Sequence, residues 1–292
     1  MRKKRISIST IILVIILLVG LSVMLYPTVS DWWNSRVQTQ AIAGYDSAVE
    51  QLDDENYDEF LRNAYEYNAA LATVDSPLSF PDAVSGYDDI LNISGTGIMG
   101  YITIPSINVQ LPLYHGTSAE ILNVAAGHLK GTSIPVGGNS THAVISAHRG
   151  LPSARLFSDL DRLVVGDTFT ITVLNEILTY EVEEINIVLP TEVSRLAIQN
   201  GQDYVTLMTC TPYGINSHRL LVRAHRIETV YPHNIKVVSD AVKVDPMLVV
   251  PGICAPLIVI LIASWVISGK RQKRPTAKDF INDLYSSKKE GD

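Results

Sequence analysis

Residues 204–223 read Tyr204-Val-Thr-Leu-Met-Thr-Cys210-Thr-Pro-Tyr-Gly-Ile-Asn-Ser-His-Arg219-Leu-Leu-Val-Arg223. Two β-branched and aliphatic runs flank a Thr-Pro-Tyr-Gly turn, which is the pattern of two strands joined by a short loop. Side chains alternate along a strand, so Arg219 and Arg223 lie on the face opposite Leu220, Val222 and Ala224. Similar short runs, bounded by Gly, Pro and Asn, recur upstream: Gly100–Pro105, Ile107–Leu111, Ala143–Ser146, Phe169–Val173, Leu178–Val182 and Ile187–Leu189. Asn175-Glu176 sits between two of them like a hairpin turn. Eight such runs with few helices predict a mainly β domain, closed as a barrel or stacked as a sandwich.

Outward from this domain the texture changes. Residues 31–72 carry apolar side chains at helical spacing (Val49, Leu52, Tyr57, Phe60, Leu61, Ala64), which predicts one or two amphipathic helices. A looser stretch, Thr73 to Ala83, follows and contains Asp75-Ser76-Pro77 and Phe80-Pro81. Ile6–Tyr26 and Met247–Ser268 are uncharged and apolar, each long enough to cross a hydrocarbon core of about 30 Å as a helix. Bases flank the first run at residues 2–5 and the second at residues 270–274, so both basic ends belong in the cytoplasm. The first run exceeds the usual apolar core of a signal peptide, and the nearest small-residue site, Ala41-Ile42-Ala43, lies far beyond it; we read an uncleaved anchor.

The expected organisation is therefore a basic cytoplasmic end (1–5), a transmembrane helix (6–26), a helical segment (27–72) and a linker (73–96). A β-barrel (97–232), a second linker (233–246), a second transmembrane helix (247–268) and a cytoplasmic tail (269–292) complete it. The predicted topology is a two-pass hairpin in the plasma membrane, with both termini cytoplasmic and the middle outside. That middle, residues 27–246, holds 26 acidic and 12 basic residues. Such an acidic body speaks against nucleic acid as a partner, which needs a basic face to replace counterions.

Cys210 and Cys254 are too few for a disulfide scaffold, and Cys254 falls in the second apolar run. Cys210 is left as the one cysteine of the outer domain, at a strand end before a turn and among Thr206, Thr209 and Thr211. A lone cysteine is ordinarily a core residue; an unpaired outward thiol in polar company is a candidate nucleophile. The reactive form is the thiolate, which needs a base or cation nearby. Of the seven histidines, His148 stands out because it follows a buried-looking strand and opens the loop His148-Arg-Gly-Leu-Pro152. His142, His218 and His225 are weaker candidates, on a surface or a strand face. Arg219 could meet the oxyanion of an acyl transfer, although a solvated strand face explains it equally well. No Cys-x-x-Cys or His-x-x-x-His spacing supports a metal, and nothing calls for a cofactor.

The run Thr206–Arg223 closely resembles the active-site signature of sortases, and of class C, the pilin polymerases of Gram-positive bacteria, in particular. Ser146-Ala-His148-Arg-Gly-Leu-Pro152 resembles the family's histidine segment, and the likeness extends over roughly residues 45–230. The resemblance implies an eight-stranded β-barrel with N-terminal helices, Cys210 as nucleophile, His148 as proton donor and acceptor, and Arg219 as oxyanion and substrate clamp. It implies cleavage of an LPxTG-like sorting signal between Thr and Gly, and transfer to a lysine of a pilin subunit. Anchoring to a cell-wall precursor, or a tethered scaffold without activity, are the competing readings. Leu189 and Thr191, in the loop before Tyr204, and Thr209 are expected substrate contacts. Ala147 and Ala224 stand where Gly is expected and Ser217 where Thr is usual. The family's Asp-Pro-aromatic lid has its nearest match in Asp75, Pro77 and the displaced Phe80, which leads us to expect an Asp75–Arg219 pair and an apolar cover over Cys210.

Overall fold

A computed structural model describes residues 8–229 of the 292. The basic end 1–5, the second linker, the second expected transmembrane helix 247–268 and the tail 269–292 lie outside the described residues. Helix α1 (Ile8–Glu50) is a single element that runs on through Pro27, so the helix itself continues past Tyr26. At 43 residues it is about 65 Å long. Its apolar N-terminal part is long enough to serve as a membrane anchor or signal. Helix α2 (Asp54–Leu71) starts where the Asp53 carboxylate accepts the Asn56 N–H at 2.8 Å. Its buried side, Ala64, Tyr67, Asn68 and Leu71, repeats at the three-to-four spacing of one helix face.

Eight strands follow: β1 (Ile98–Ile104), β2 (Val109–His115), β3 (Ala126–His128), β4 (Thr141–Ser146), β5 (Thr168–Val173), β6 (Glu176–Val188), β7 (Asp203–Thr211) and β8 (His218–Ile227). A four-residue helix, α3 (Ala119–Leu122), lies between β2 and β3. The strands close as a barrel in the order β1-β2-β3-β4-β7-β8-β6-β5. Pairs β2/β3 and β4/β7 are parallel and the others antiparallel.

The predicted strand count of eight is met, but with a different membership. Leu178–Val182 and the start of Ile187–Leu189 belong to one long strand, β6, which ends at Val188 and whose register against β8 shifts between Val182 and Glu184. That bulge interrupts the alternation and makes one strand look like two in sequence. The remaining strand is β3, three residues of Ala-Gly-His with no β-branched side chain. Its Gly127 is required by close approach, since a Cβ there would stand 2.2 Å from the Gly116 carbonyl oxygen. The β5–β6 turn is Leu174–Asn175, one residue earlier than expected, with Val173 paired to Glu176.

Ile102, Ile104, Leu113, Ile145, Phe157, Phe169, Ile171, Tyr180, Val205, Leu207 and Val222 fill the barrel and are fully buried. Each contributes roughly 1.5–3 kcal/mol by leaving water. Tyr45 of α1 joins this core; its hydroxyl donates to the Met99 carbonyl at 3.1 Å and accepts the Leu174 N–H at 2.7 Å. A second, smaller cluster of Val144, Val188, Leu196 and Leu221 is separate from it. Leu221 alternates with Leu220 and Val222 of the main core, so this cluster lies on the outer barrel wall.

Candidate active site

Parallel pairing of β4 with β7 sets Ser146 beside Met208. Two residues further along, His148 follows the end of β4 and Cys210 is the penultimate residue of β7, at the same end of the barrel. The pairing extends past β4, because the Ala147 N–H donates to the Met208 carbonyl at 3.3 Å. On the other flank, antiparallel β8 places Arg219 directly opposite Cys210. The thiol strand is thus flanked by the histidine segment and the arginine strand, each about 4.8 Å away in the sheet direction. Cys210 is free and half-buried.

Arg219 turns one guanidinium nitrogen, Nη1, to the carbonyls of Asn216 (3.3 Å) and His218 (3.2 Å). It enters no ion pair among the described residues. A guanidinium has five N–H donors, so most remain available to an incoming carbonyl or oxyanion. Arg223, on the same face, is instead committed to Glu183 at 2.8 Å and Glu184 at 2.5 Å. A groove of about 420 Å³ leads to Arg219, floored by Leu129, Val188, Met208 and Leu221.

The histidine loop is stitched to the turn after Cys210. Arg149 pairs with Asp161, lies 3.5 Å from the Thr211 hydroxyl and sits 5.9 Å from the Tyr213 ring centre. Gly150 (φ +79°) lies against that ring, where a Cβ would come within 3.1 Å. The His148 carbonyl accepts the Phe157 N–H at 3.1 Å, closing the loop.

Of the expected substrate contacts, Leu189 lines the groove and Thr191 is exposed on the following loop, outside the groove wall. Thr209 corrects the expectation. It is 1% exposed, and its hydroxyl donates to the Ala147 carbonyl at 2.8 Å, so it braces the histidine strand. Alternation explains this: with Cys210 outward, Thr209 must point inward.

The lid segment is also rearranged. Asp75 forms no pair with Arg219; it lines a neighbouring cavity with Ser76, Pro77, Ser140 and Asn200. Phe80 is 65% exposed. Turn hydrogen bonds from Ser79 N to Ser76 O (2.8 Å) and from Phe80 N to Pro77 O (3.1 Å) coil the chain so that Leu78 faces inward. Leu78 packs on the cluster of Val144, Val188, Leu196 and Leu221 and lines the same groove as Arg219. Gly131 (φ +88°) admits the segment, since a Cβ there would stand 2.8 Å from the Pro77 carbonyl oxygen. Lys130 holds it from outside through Asp82 at 2.5 Å.

His142 is a supporting residue that the sequence had suggested was a surface or strand-face position. It is fully buried, with Nδ1 3.0 Å from the Ala197 carbonyl and Nε2 2.7 Å from the Thr206 hydroxyl. Burial holds it down to about 4, so the neutral ring donates to Ala197 and accepts from Thr206. It thereby ties the loop between β6 and β7 to the barrel, as does Arg195 through Glu184 at 2.7 Å. Only the pairing of strands brings these partners together; no local pattern marks them.

Residues 102–227 match the sortase domain. The structure is similar to sortase C1 from Streptococcus agalactiae, with 48% identity, a TM-score of 0.60, and coverage of 65% of this chain and 100% of that one. It is also similar to the Clostridium perfringens sortase C solved with the C-terminal cell wall sorting motif, with 43% identity, a TM-score of 0.59, and coverage of 65% and 100%. Sortase A of S. agalactiae is 33% identical over 117 residues, 39% of this chain and 47% of that protein. The chain spans about half the length of this curated relative and of sortase D from Bacillus subtilis.

Proposed function

The chain belongs to the sortase family, and from that premise we propose that it is a membrane-bound cysteine transpeptidase that joins pilin subunits. The observation that carries this reading is the placement of Cys210 between His148 and Arg219 at one barrel end, with an apolar-floored groove leading to Arg219. In the proposed reaction the Cys210 thiolate attacks the Thr carbonyl of an LPxTG-like signal while Arg219 donates to the oxyanion. The Thr–Gly bond breaks, and the leaving Gly amine takes its proton from His148. A lysine amine of the next subunit then attacks the thioester, gives its proton back to His148, and releases the Cys210 thiolate as the isopeptide bond forms. The likeness to a sortase C solved with a sorting motif supports the substrate class.

The remaining parts of the reading concern location. The apolar start of α1 would anchor the chain in the plasma membrane of a Gram-positive bacterium, with residues 97–232 as the extracellular catalytic barrel and 73–96 covering the groove. Residues 247–268 would form a second span and return the tail to the cytoplasm.

The test is to mix the full chain, in detergent, with a pilin subunit ending in an LPxTG-like signal and to analyse the products by mass spectrometry. Thr–Lys joined subunits and a thioester on Cys210, both lost in Cys210→Ala, are expected. A thioester that passes only to a cell-wall amine would replace pilus assembly with the anchoring reading. Full activity in Cys210→Ala would refute the mechanism.

A further inference from the structure

One face of α1 carries Asp31, Asn34, Gln38, Ile42, Tyr45 and Val49 at the three-to-four spacing of a helix. Its lower half is apolar and buried in the barrel. Its upper half is polar, and each side chain meets a loop backbone. Gln38 Nε2 donates to the Val124 carbonyl at 2.7 Å. Asn34 Nδ2 donates to the Ser153 carbonyl at 2.7 Å. The Asp31 carboxylate accepts the Arg155 N–H at 2.8 Å.

Ser153 and Arg155 belong to the return limb of the loop that starts at His148. The limb is joined to the outgoing one by the Leu151–Ala154 bridge and by Gly150 N–H donating to the Ser158 hydroxyl at 3.1 Å. Arg149 and Thr209 hold the outgoing limb. Apart from the Ser158 N–H that the Arg155 carbonyl accepts within the loop (2.8 Å), the described hydrogen bonds tie the backbone of Ser153 and Arg155 to no element but α1. Its grip at Asp31 is about 21 Å along the helix from Tyr45, which is fixed in the core. The helix therefore acts as a splint between the barrel core and the far side of the histidine loop.

We propose that Asp31 and Asn34 are positioning residues for His148, so that the helix carrying the apolar N-terminal stretch also completes the active site. This inference rests on the reading of His148 as the proton-transfer group of Cys210. A catalytic group displaced by about 1 Å can cost up to 10²-fold in rate. The limb freed from α1 should therefore lower turnover without altering the groove that binds the peptide.

The experiment uses the full chain in detergent and a quenched fluorescent peptide containing Leu-Pro-x-Thr-Gly, with kcat and KM measured separately. Asp31→Ala combined with Asn34→Ala is expected to lower kcat about 10-fold or more, with KM within about twofold. Hydrogen exchange at residues 153–155 should accelerate in the same variant. Asp31→Asn should retain most of kcat, because the amide oxygen still accepts the Arg155 N–H. Should the double variant fail to fold, Asn34→Asp, which keeps the size and removes the donor, is expected to lower kcat in the same way. Unchanged kcat in a folded variant, or a loss in Asp31→Asn equal to that of the double alanine variant, overturns the proposal. His148→Ala separates the two levels. If it turns over peptide normally, the mechanism itself is wrong; if it is inactive while the α1 variants are unaffected, only the splint is.

Discussion

Thr209→Val replaces a hydroxyl by a methyl of nearly the same size and removes one hydrogen bond, that from Thr209 to the Ala147 carbonyl at 2.8 Å. Both residues are buried, at 1% and 2% exposure, so water cannot easily replace the lost donor. Leaving a buried carbonyl unpaired costs about 1–3 kcal/mol. In a domain of this size each kcal/mol lowers Tm by about 2–4 °C, so a central loss of about 2 kcal/mol predicts a fall of about 4–8 °C. The freed carbonyl belongs to the peptide unit that leads into His148, so kcat should fall as well, by about 3- to 10-fold. Thermal melts and peptide cleavage on the wild type, Thr209→Val and Thr209→Ser test both parts. Serine keeps the donor and should recover most of the loss. A Tm within about 1 °C of wild type together with unchanged kcat would refute the assignment of Thr209 as a brace.

Burial holds His128 and His142 down to about 4, while each would titrate near 6.5 in the unfolded chain. The unfolded state therefore binds more protons between these values, and stability, full above about 6.5, is lost as pH falls towards 4 at up to about 1.4 kcal/mol per pH unit for each histidine. Urea midpoints measured from pH 7 to pH 5 should fall accordingly, and a flat profile would contradict the buried neutral rings. Gly131→Ala forces a Cβ to 2.8 Å from the Pro77 carbonyl oxygen at φ +88°, so residues 76–80 should lift and Cys210 alkylation should quicken severalfold; an unchanged rate would dissociate Leu78 from cover of the groove. Arg149→Met strands Asp161 and releases Tyr213, and kcat should fall at least about 10-fold in the peptide assay. Full activity there would show that the histidine loop and the turn after Cys210 hold their places unaided.

How much was legible in the sequence varies with the range of the interaction responsible. The alternating strands pointed to a mainly β domain because period-two burial is written along the chain itself, and the resemblance of Thr206–Arg223 to sortases favoured the barrel over the sandwich. Cys210, His148 and Arg219 were candidates as chemically apt residues at strand ends, and the resemblance to sortases gave them their expected roles. Short β3 escaped because its three small residues are strand only through neighbours on both sides. The bulge in β6 broke the alternation and split one strand into two runs. Leu78 was missed because turn hydrogen bonds, rather than side-chain type, decide which residue of 75–80 faces the groove.

The chain's local pattern was enough for the eight-stranded β character, the helical face of α2, the apolar N-terminal helix and the nomination of three residues whose side chains suit acyl transfer. Tertiary structure decided which of them meet. Parallel pairing of β4 with β7 and antiparallel pairing of β7 with β8 bring residues 148, 210 and 219 to one barrel end. It also decided that Thr209 and His142 would be braces and that Asp31 would grip a loop 124 residues away. Side-chain alternation is a property of consecutive residues and so is carried in the chain, whereas hydrogen bonds between distant segments depend on strand order and register, which emerge only when the barrel closes.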